Sequence, residues 1–119
     1  MNKFQVRNIS FNSNRVIINV YTEYTSSASF VNMLILRNPN IANHNCKSSK
    51  DLKDTSLAHI FEHLVIDYQQ FGMGTTTSVA PNMYRVELSY KDDIECLRAI
   101  NESKNLIEQL LDTSSFLQR

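Results

Sequence analysis

The sequence predicts an α+β fold: a two-layer sandwich in which a mostly antiparallel sheet carries its helices on one face. Three observations support this. Some segments are rich in β-branched and aromatic residues, two segments have apolar residues at helical spacing, and polar turns separate them in the order β-β-α-β-β-α. The 119 residues are 42% apolar and 20% charged. This size and composition are typical of one globular domain, spanning residues 1–119.

The residues in the first half of the sequence predict strands. Residues 16–24 (VIINVYTEY) are rich in β-branched and aromatic side chains, which favours a strand. After a serine-rich turn, polar alternation is nearly absent in residues 30–36 (FVNMLIL), which predicts a second strand buried on both faces. Together the two segments suggest a hairpin, and residues 4–11 add a predicted edge strand.

The second half begins with a predicted helix. It starts after a capping residue at position 54, 55 or 56 and ends near Gln70, before the glycines at 72 and 74. The apolar residues at helical spacing are Leu57, Ile60, Phe61, Leu64, Val65 and Tyr68.

A hairpin and a final helix are predicted to follow. Residues 75–83 indicate a short strand and a turn, and apolar and polar residues alternate in Tyr84–Tyr90. Asp92 and Asp93 begin the last helix, where negative charge suits the positive end of the helix dipole. Cys96 on this helix is predicted to lie in the core. The apolar stripe consists of Ile94, Leu97, Ile100, Ile107, Leu110 and Leu111.

Composition excludes several classes of function. Twelve basic and twelve acidic residues give a net charge of zero, which argues against a nucleic-acid-binding protein. No apolar run approaches the roughly 20 residues of a membrane span, and the N-terminus lacks the apolar core of a signal peptide. Two cysteines are too few for a disulfide scaffold. We therefore expect a cytoplasmic protein, with Cys46 and Cys96 reduced and with neither nucleic acid nor membrane as a partner.

Residues 59–63, His-Ile-Phe-Glu-His, form an H-x-x-E-H pattern on the predicted helix. At about 100° per residue, His59 and His63 lie about 40° apart and one turn along the axis, with Glu62 beside them. Two imidazoles so placed can bind one zinc ion, and the carboxylate can act as general base on a water molecule. Because the apolar stripe lies on the other side, we expect the three side chains to point away from the core, towards a cleft or solvent. The alternative is a pair of exposed histidines beside a solvated glutamate.

A catalytic zinc site requires a third protein ligand. The sequence leaves this ligand open among His44, Cys46, Glu87, Glu95 and Glu102. His44 and Cys46 are attractive because both residue types ligate zinc and both lie on the irregular segment 38–53, a long loop that can reach the helix face. A buried structural role is the more common one for a cysteine such as Cys46, and His44 is the predicted third ligand.

Two families resemble parts of the chain. LAHIFEHL (57–64) and YRVELSYKDDIECL (84–97) are similar to the pitrilysin-like metallopeptidases. A longer series of motifs resembles the N-terminal domain of cyanophycin synthetase, here free-standing, over about residues 44–111. In order, these motifs are His44-Asn45-Cys46, LKDTSLAHIFEHLVIDYQ (52–69), GMG (72–74) and TTTSVAPNMYRVELSY (75–90).

The chain also departs from the cyanophycin synthetase pattern. Its loop after Cys46 is shorter, and threonines at 75–77 stand where the family often carries arginine and acidic residues. Residues 1–119 contain no counterpart of the ATP-grasp and Mur-ligase-like domains of the synthetase, so we do not expect this chain alone to polymerise amino acids.

The resemblance implies a domain that holds a growing polymer and that, in some members, cleaves it. Carried over to this sequence, His59 and His63 bind zinc and Glu62 is the catalytic base. We therefore predict a zinc-dependent, peptidase-like hydrolase acting on a peptide or a cyanophycin-like polymer. The alternatives are a non-catalytic peptide- or polymer-binding module that works with a separately encoded ATP-dependent ligase, and a subunit whose function is assembly. A homodimer would supply the larger cleft that so small an enzyme needs.

Overall fold

The computed structural model describes residues 4–39, 41 and 55–117, with side chains as far as residue 112. It has the predicted α+β class, with four strands and three helices in these ranges. The elements are β1 (Phe4–Phe11), β2 (Arg15–Thr22), α1 (Ala28–Arg37), α2 (Leu57–Gln69), β3 (Gly74–Ala80), β4 (Met83–Ser89) and α3 (Asp93–Leu117).

The four strands form one antiparallel sheet in the order β1-β2-β4-β3. At its centre Ile18 of β2 pairs with Val86 of β4, and Val16 pairs with Leu88. These four side chains are fully buried. Since side chains alternate along a strand, they share one face of the sheet, on which α2 packs. The predicted alternation of Tyr84–Tyr90 is therefore confirmed.

The predicted strand at residues 30–36 is wrong, because this segment is the helix α1. The hydroxyl of Ser27 accepts a hydrogen bond from the Phe30 amide at 3.1 Å and caps the helix. Phe30 and Leu34, one helical turn apart, are buried, whereas Leu36 is 83% exposed. A run whose only polar residue is Asn32 fits either element, and here the cap and the one-sided burial belong to a helix. The described residues therefore contain one helix more than the predicted order.

Helix α2 is the central element of the structure. The side chain of Ser56 caps it by accepting from the His59 amide at 3.2 Å, so the predicted start is confirmed. Gln70, with a φ of 53°, ends it in the left-handed conformation. All ten residues from Leu57 to Ile66 are buried, because α2 lies between the sheet and α3. Phe61 of this helix packs on Phe4 of β1, with ring centroids 5.5 Å apart.

Helix α3 covers α2 and β1. It begins close to the predicted position, where the Asp92 carboxylate accepts from the Ile94 amide at 3.1 Å. Cys96 is buried as predicted, and burial raises the pKa of its thiol to about 11. Ile94 and Leu97, predicted as part of the buried stripe, are instead 66% and 44% exposed. No helix in the described part of the chain is long and apolar enough to cross a membrane.

Candidate metal centre

The N-terminus of α2 is held in place by the segment that follows β2. The Ser26 amide donates to the Thr55 carbonyl at 2.8 Å, and the Leu57 amide donates to the Tyr24 carbonyl at 3.1 Å. These backbone bonds fix where the first turns of α2 lie relative to the sheet. The H-x-x-E-H residues occupy these turns.

His59, Glu62 and His63, which we call the His–Glu–His cluster, come together on one side of α2. One ligand atom from each residue lies within 4.8 Å of those of the other two. The imidazole rings of His59 and His63 meet edge to face, with centroids 4.8 Å apart and planes at 73°. Across the described residues, this is the only group of three or more His, Cys, Asp or Glu side chains with so close an arrangement. The cluster can hold a metal ion.

The expectation that these three side chains face a cleft or solvent is wrong. His59 is 6% exposed, Glu62 0% and His63 1%. The angular positions of the side chains on α2 identify its apolar side but not the elements that cover its polar side. In the structure α2 is covered on its other side too, because β3 packs against it at Glu62 and the backbone of Ile41 reaches His63.

Each histidine is oriented through its Nδ1 atom. Nδ1 of His63 donates to the carbonyl oxygen of Ile41 at 3.2 Å, since a carbonyl can only accept. In the neutral imidazole this leaves the lone pair on Nε2. Nδ1 of His59 lies 3.0 Å from the Thr55 hydroxyl. Hydrogen bonds of this kind fix the ring orientation of metal-ligating histidines.

The two carboxylate oxygens of Glu62 have different surroundings. Oε1 accepts a hydrogen bond from the Thr76 hydroxyl at 2.6 Å. Oε2 is buried and has no hydrogen-bond partner among the described residues. A buried carboxylate oxygen without a partner is costly, and a cation beside it removes that cost. This oxygen is the strongest structural sign that a metal ion fits the cluster.

Gly74 allows β3 to pass close to Glu62. A Cβ atom at this position would lie 2.4 Å from the Leu88 side chain and 3.1 Å from Cγ of Glu62. From its position after the helix, Gly74 is predicted only to be part of the turn. A glycine inside a strand also indicates close approach of another group, and that signal was available from the sequence.

No known protein family matches the chain, and no curated protein matches it. The resemblances to the pitrilysin-like metallopeptidases and to the N-terminal domain of cyanophycin synthetase therefore remain predictions. What is known of the site comes from its own geometry.

The structure does not bring three of the candidate third ligands to the cluster. Glu87 lies between buried residues of β4, so its side chain is on the far face of the sheet, where it pairs with Arg15 at 3.4 Å. Glu95 and Glu102 are exposed on α3.

His44 and Cys46, the other two candidates, lie outside the described residues. The choice of His44 as third ligand stays a prediction.

Burial lowers the pKa of His59 below its ordinary value of 6.5, although the nearby charge of Glu62 opposes this shift. The imidazole of the metal-free protein is therefore kept neutral near pH 7, which is the form that binds metal.

This shift predicts a pH dependence of stability. In the unfolded chain His59 takes up a proton near pH 6.5, whereas the folded protein resists protonation at that pH. The free energy of unfolding of the metal-free protein should therefore fall as the pH drops below 6.5, and the contribution should level off below the folded pKa. Urea unfolding at a series of pH values, in the presence of a chelator, measures this free energy as a function of pH. The variant His59→Gln should show a shallower fall, and an equal fall in both proteins would contradict the assignment.

Proposed function

We propose that this protein is a zinc-dependent hydrolase that cleaves a peptide or a cyanophycin-like polymer. His59 and His63 bind the metal, and Glu62 activates water. The observation that carries the proposal is Glu62 Oε2, a buried carboxylate oxygen that lacks a hydrogen-bond partner among the described residues and belongs to a group with two imidazoles. The H-x-x-E-H order of the three residues supports the same assignment.

The donor set supports zinc. Imidazole nitrogen is an ordinary zinc ligand, although it also suits copper, iron and nickel. Histidines at i and i+4 present two nitrogens on one side of a helix, so α2 supplies both without any rearrangement of the backbone. The bond from His63 Nδ1 to the Ile41 carbonyl leaves Nε2 as the ligating atom.

Glu62 supplies the proton-transfer chemistry. Zinc held by His59 and His63 would lower the pKa of a nearby water molecule towards 7 and would polarise a carbonyl group. Glu62 takes the proton of the attacking water at Oε2, because Oε1 already accepts from the Thr76 hydroxyl. The same oxygen then returns the proton to the leaving amine, so that one carboxylate serves as base and then as acid.

The substrate class rests on the resemblance to the N-terminal domain of cyanophycin synthetase. In that family the domain holds a polymer of amino acids joined through amide bonds. An amide carbonyl is also what a zinc ion and a neighbouring carboxylate are suited to attack. Peptides and cyanophycin are therefore the first substrates to test.

The burial of the cluster favours a second candidate function. Structural zinc sites are closed, whereas catalytic sites keep a position open for water and substrate. Exposures of 6%, 0% and 1% for His59, Glu62 and His63 fit a closed site that ties α2 to β3 and to Ile41. The protein would then be a non-catalytic peptide- or polymer-binding module that works with a separately encoded ATP-dependent ligase.

A cleavage assay separates the two candidates. The zinc-loaded and the metal-free protein are each incubated with a mixed peptide library and with cyanophycin, and new termini are identified by mass spectrometry. If the protein is a hydrolase, cleavage products form with the zinc-loaded protein only. Stoichiometric zinc without cleavage of either substrate would favour the binding module.

A further inference from the structure

We infer that Thr76 is a positioning residue of the metal centre. Its hydroxyl binds one carboxylate oxygen of Glu62, so that the other oxygen is available to the ion or for proton transfer. This inference rests on the proposed metal-binding function. The hydroxyl of Thr76 lies 2.6 Å from Oε1 of Glu62. Because a carboxylate can only accept, the hydroxyl is the donor, and the bond has the short length of a charge-assisted hydrogen bond.

Thr76 lies on β3, the edge strand that follows β4 in the sheet, and this strand passes over Glu62. Thr76 pairs with Val86, whose side chain is buried on the face that α2 covers. Side chains two positions apart lie on the same side of a strand. Gly74 therefore shares this side, and a Cβ there would lie 3.1 Å from Cγ of Glu62. Strand β3 thus meets Glu62 twice: Gly74 leaves room for the stem, and Thr76 binds the carboxylate.

The two histidines are held in a similar way. The Ile41 carbonyl binds Nδ1 of His63, and the Thr55 hydroxyl lies 3.0 Å from Nδ1 of His59. Each member of the cluster therefore has one polar atom in contact with a residue outside the cluster. In metal sites such outer contacts orient the ligands, and their loss typically weakens metal binding about 10- to 100-fold.

A purely structural role for Thr76 makes a different prediction. A hydroxyl that only satisfies a buried oxygen would affect the stability of the metal-free protein and leave the affinity for metal unchanged. Metal affinity and metal spectroscopy are therefore the readouts that distinguish positioning from packing.

The test uses three single variants of the full chain. Thr76→Val removes the hydroxyl and keeps the β-branched shape, while Thr76→Ser keeps the hydroxyl. Thr77→Val is the matched control, because Thr77 is the next residue of β3 and is exposed. Zinc affinity is measured by competition with a chelating dye, Co²⁺ absorption reports the ligand field, and thermal unfolding without metal reports stability.

We expect Thr76→Val to bind zinc about 10- to 100-fold more weakly than the wild type, with an altered Co²⁺ spectrum. Thr76→Ser and Thr77→Val should stay close to wild type. If Thr76→Val fails to fold, Thr76→Ala takes its place with the same expectation.

Several results would overturn the inference. If Thr76→Val binds zinc with wild-type affinity, the inference is wrong but the metal-binding proposal stands. The same conclusion follows if Thr76→Ser weakens zinc binding as much as Thr76→Val does. A wild-type protein that binds no zinc would overturn both. Zinc binding without hydrolysis would overturn the hydrolase proposal alone, and the role of Thr76 would still be decided by the affinities.

Discussion

Replacing Glu62 with glutamine is expected to lower the rate of peptide hydrolysis by about 100- to 10,000-fold, which is the usual contribution of a general base. Glutamine has nearly the same shape and can still accept from the Thr76 hydroxyl, but it cannot take a proton from water. With His59 and His63 unchanged, the variant should still bind zinc when the ion is in excess, but more weakly than the wild type because the negative charge of Glu62 is gone. The measurements are initial rates of peptide cleavage by the zinc-loaded proteins, and their zinc content.

Glu95→Gln is the matched control for this variant. Glu95 is exposed on α3, so the same chemical change there should leave both rate and zinc content at wild-type values. Unchanged hydrolysis in Glu62→Gln would remove Glu62 from the mechanism. Loss of zinc in that variant would show instead that Glu62 is a metal ligand, and the base would have to be sought elsewhere.

Zinc is expected to stabilise the folded protein strongly. A ligand that binds only the native state adds about 4 kcal/mol to the free energy of unfolding when its free concentration is a thousand times its Kd. The ligand atoms lie together only when α2 is formed and packed, so binding to the unfolded chain should be weak. Urea unfolding with zinc, and after its removal by a chelator, measures the difference.

The double variant His59→Ala/His63→Ala serves as the control for the stabilisation by zinc. It will have its own stability, because it leaves cavities in a buried region. The quantity to compare is therefore the increase in the free energy of unfolding that zinc produces in each protein. No increase is expected in the double variant, and an increase equal to that of the wild type would place the zinc elsewhere on the chain.

Much of the fold could be predicted from local sequence patterns. The alternation in Tyr84–Tyr90 identified β4, and Ser56 followed by apolar residues at helical spacing identified α2. The segment 30–36 could not be assigned by the same means, because Asn32 is its only polar residue and one polar position does not define a period that distinguishes helix from strand. Its helical state depends on the cap at Ser27 and on which side the rest of the protein covers.

The candidate site was only partly predictable, for a different reason. The spacing of His59, Glu62 and His63 was enough to predict that they lie together, since that depends on one turn of one helix. Their burial depends on contacts distant in sequence: Thr76 lies 14 residues from Glu62, and Ile41 lies 22 residues from His63. A helical wheel contains no information about which strand or backbone segment will cover its polar side.

The most direct test of this account is the metal content of the purified protein, measured by inductively coupled plasma mass spectrometry for zinc, iron, copper and nickel together. The wild type and His59→Ala/His63→Ala are purified side by side, and circular dichroism confirms that both are folded. We predict close to one zinc ion per wild-type chain and none in the double variant. A folded wild-type protein that retains no metal, even after incubation with excess zinc and removal of the unbound ion, would contradict the account.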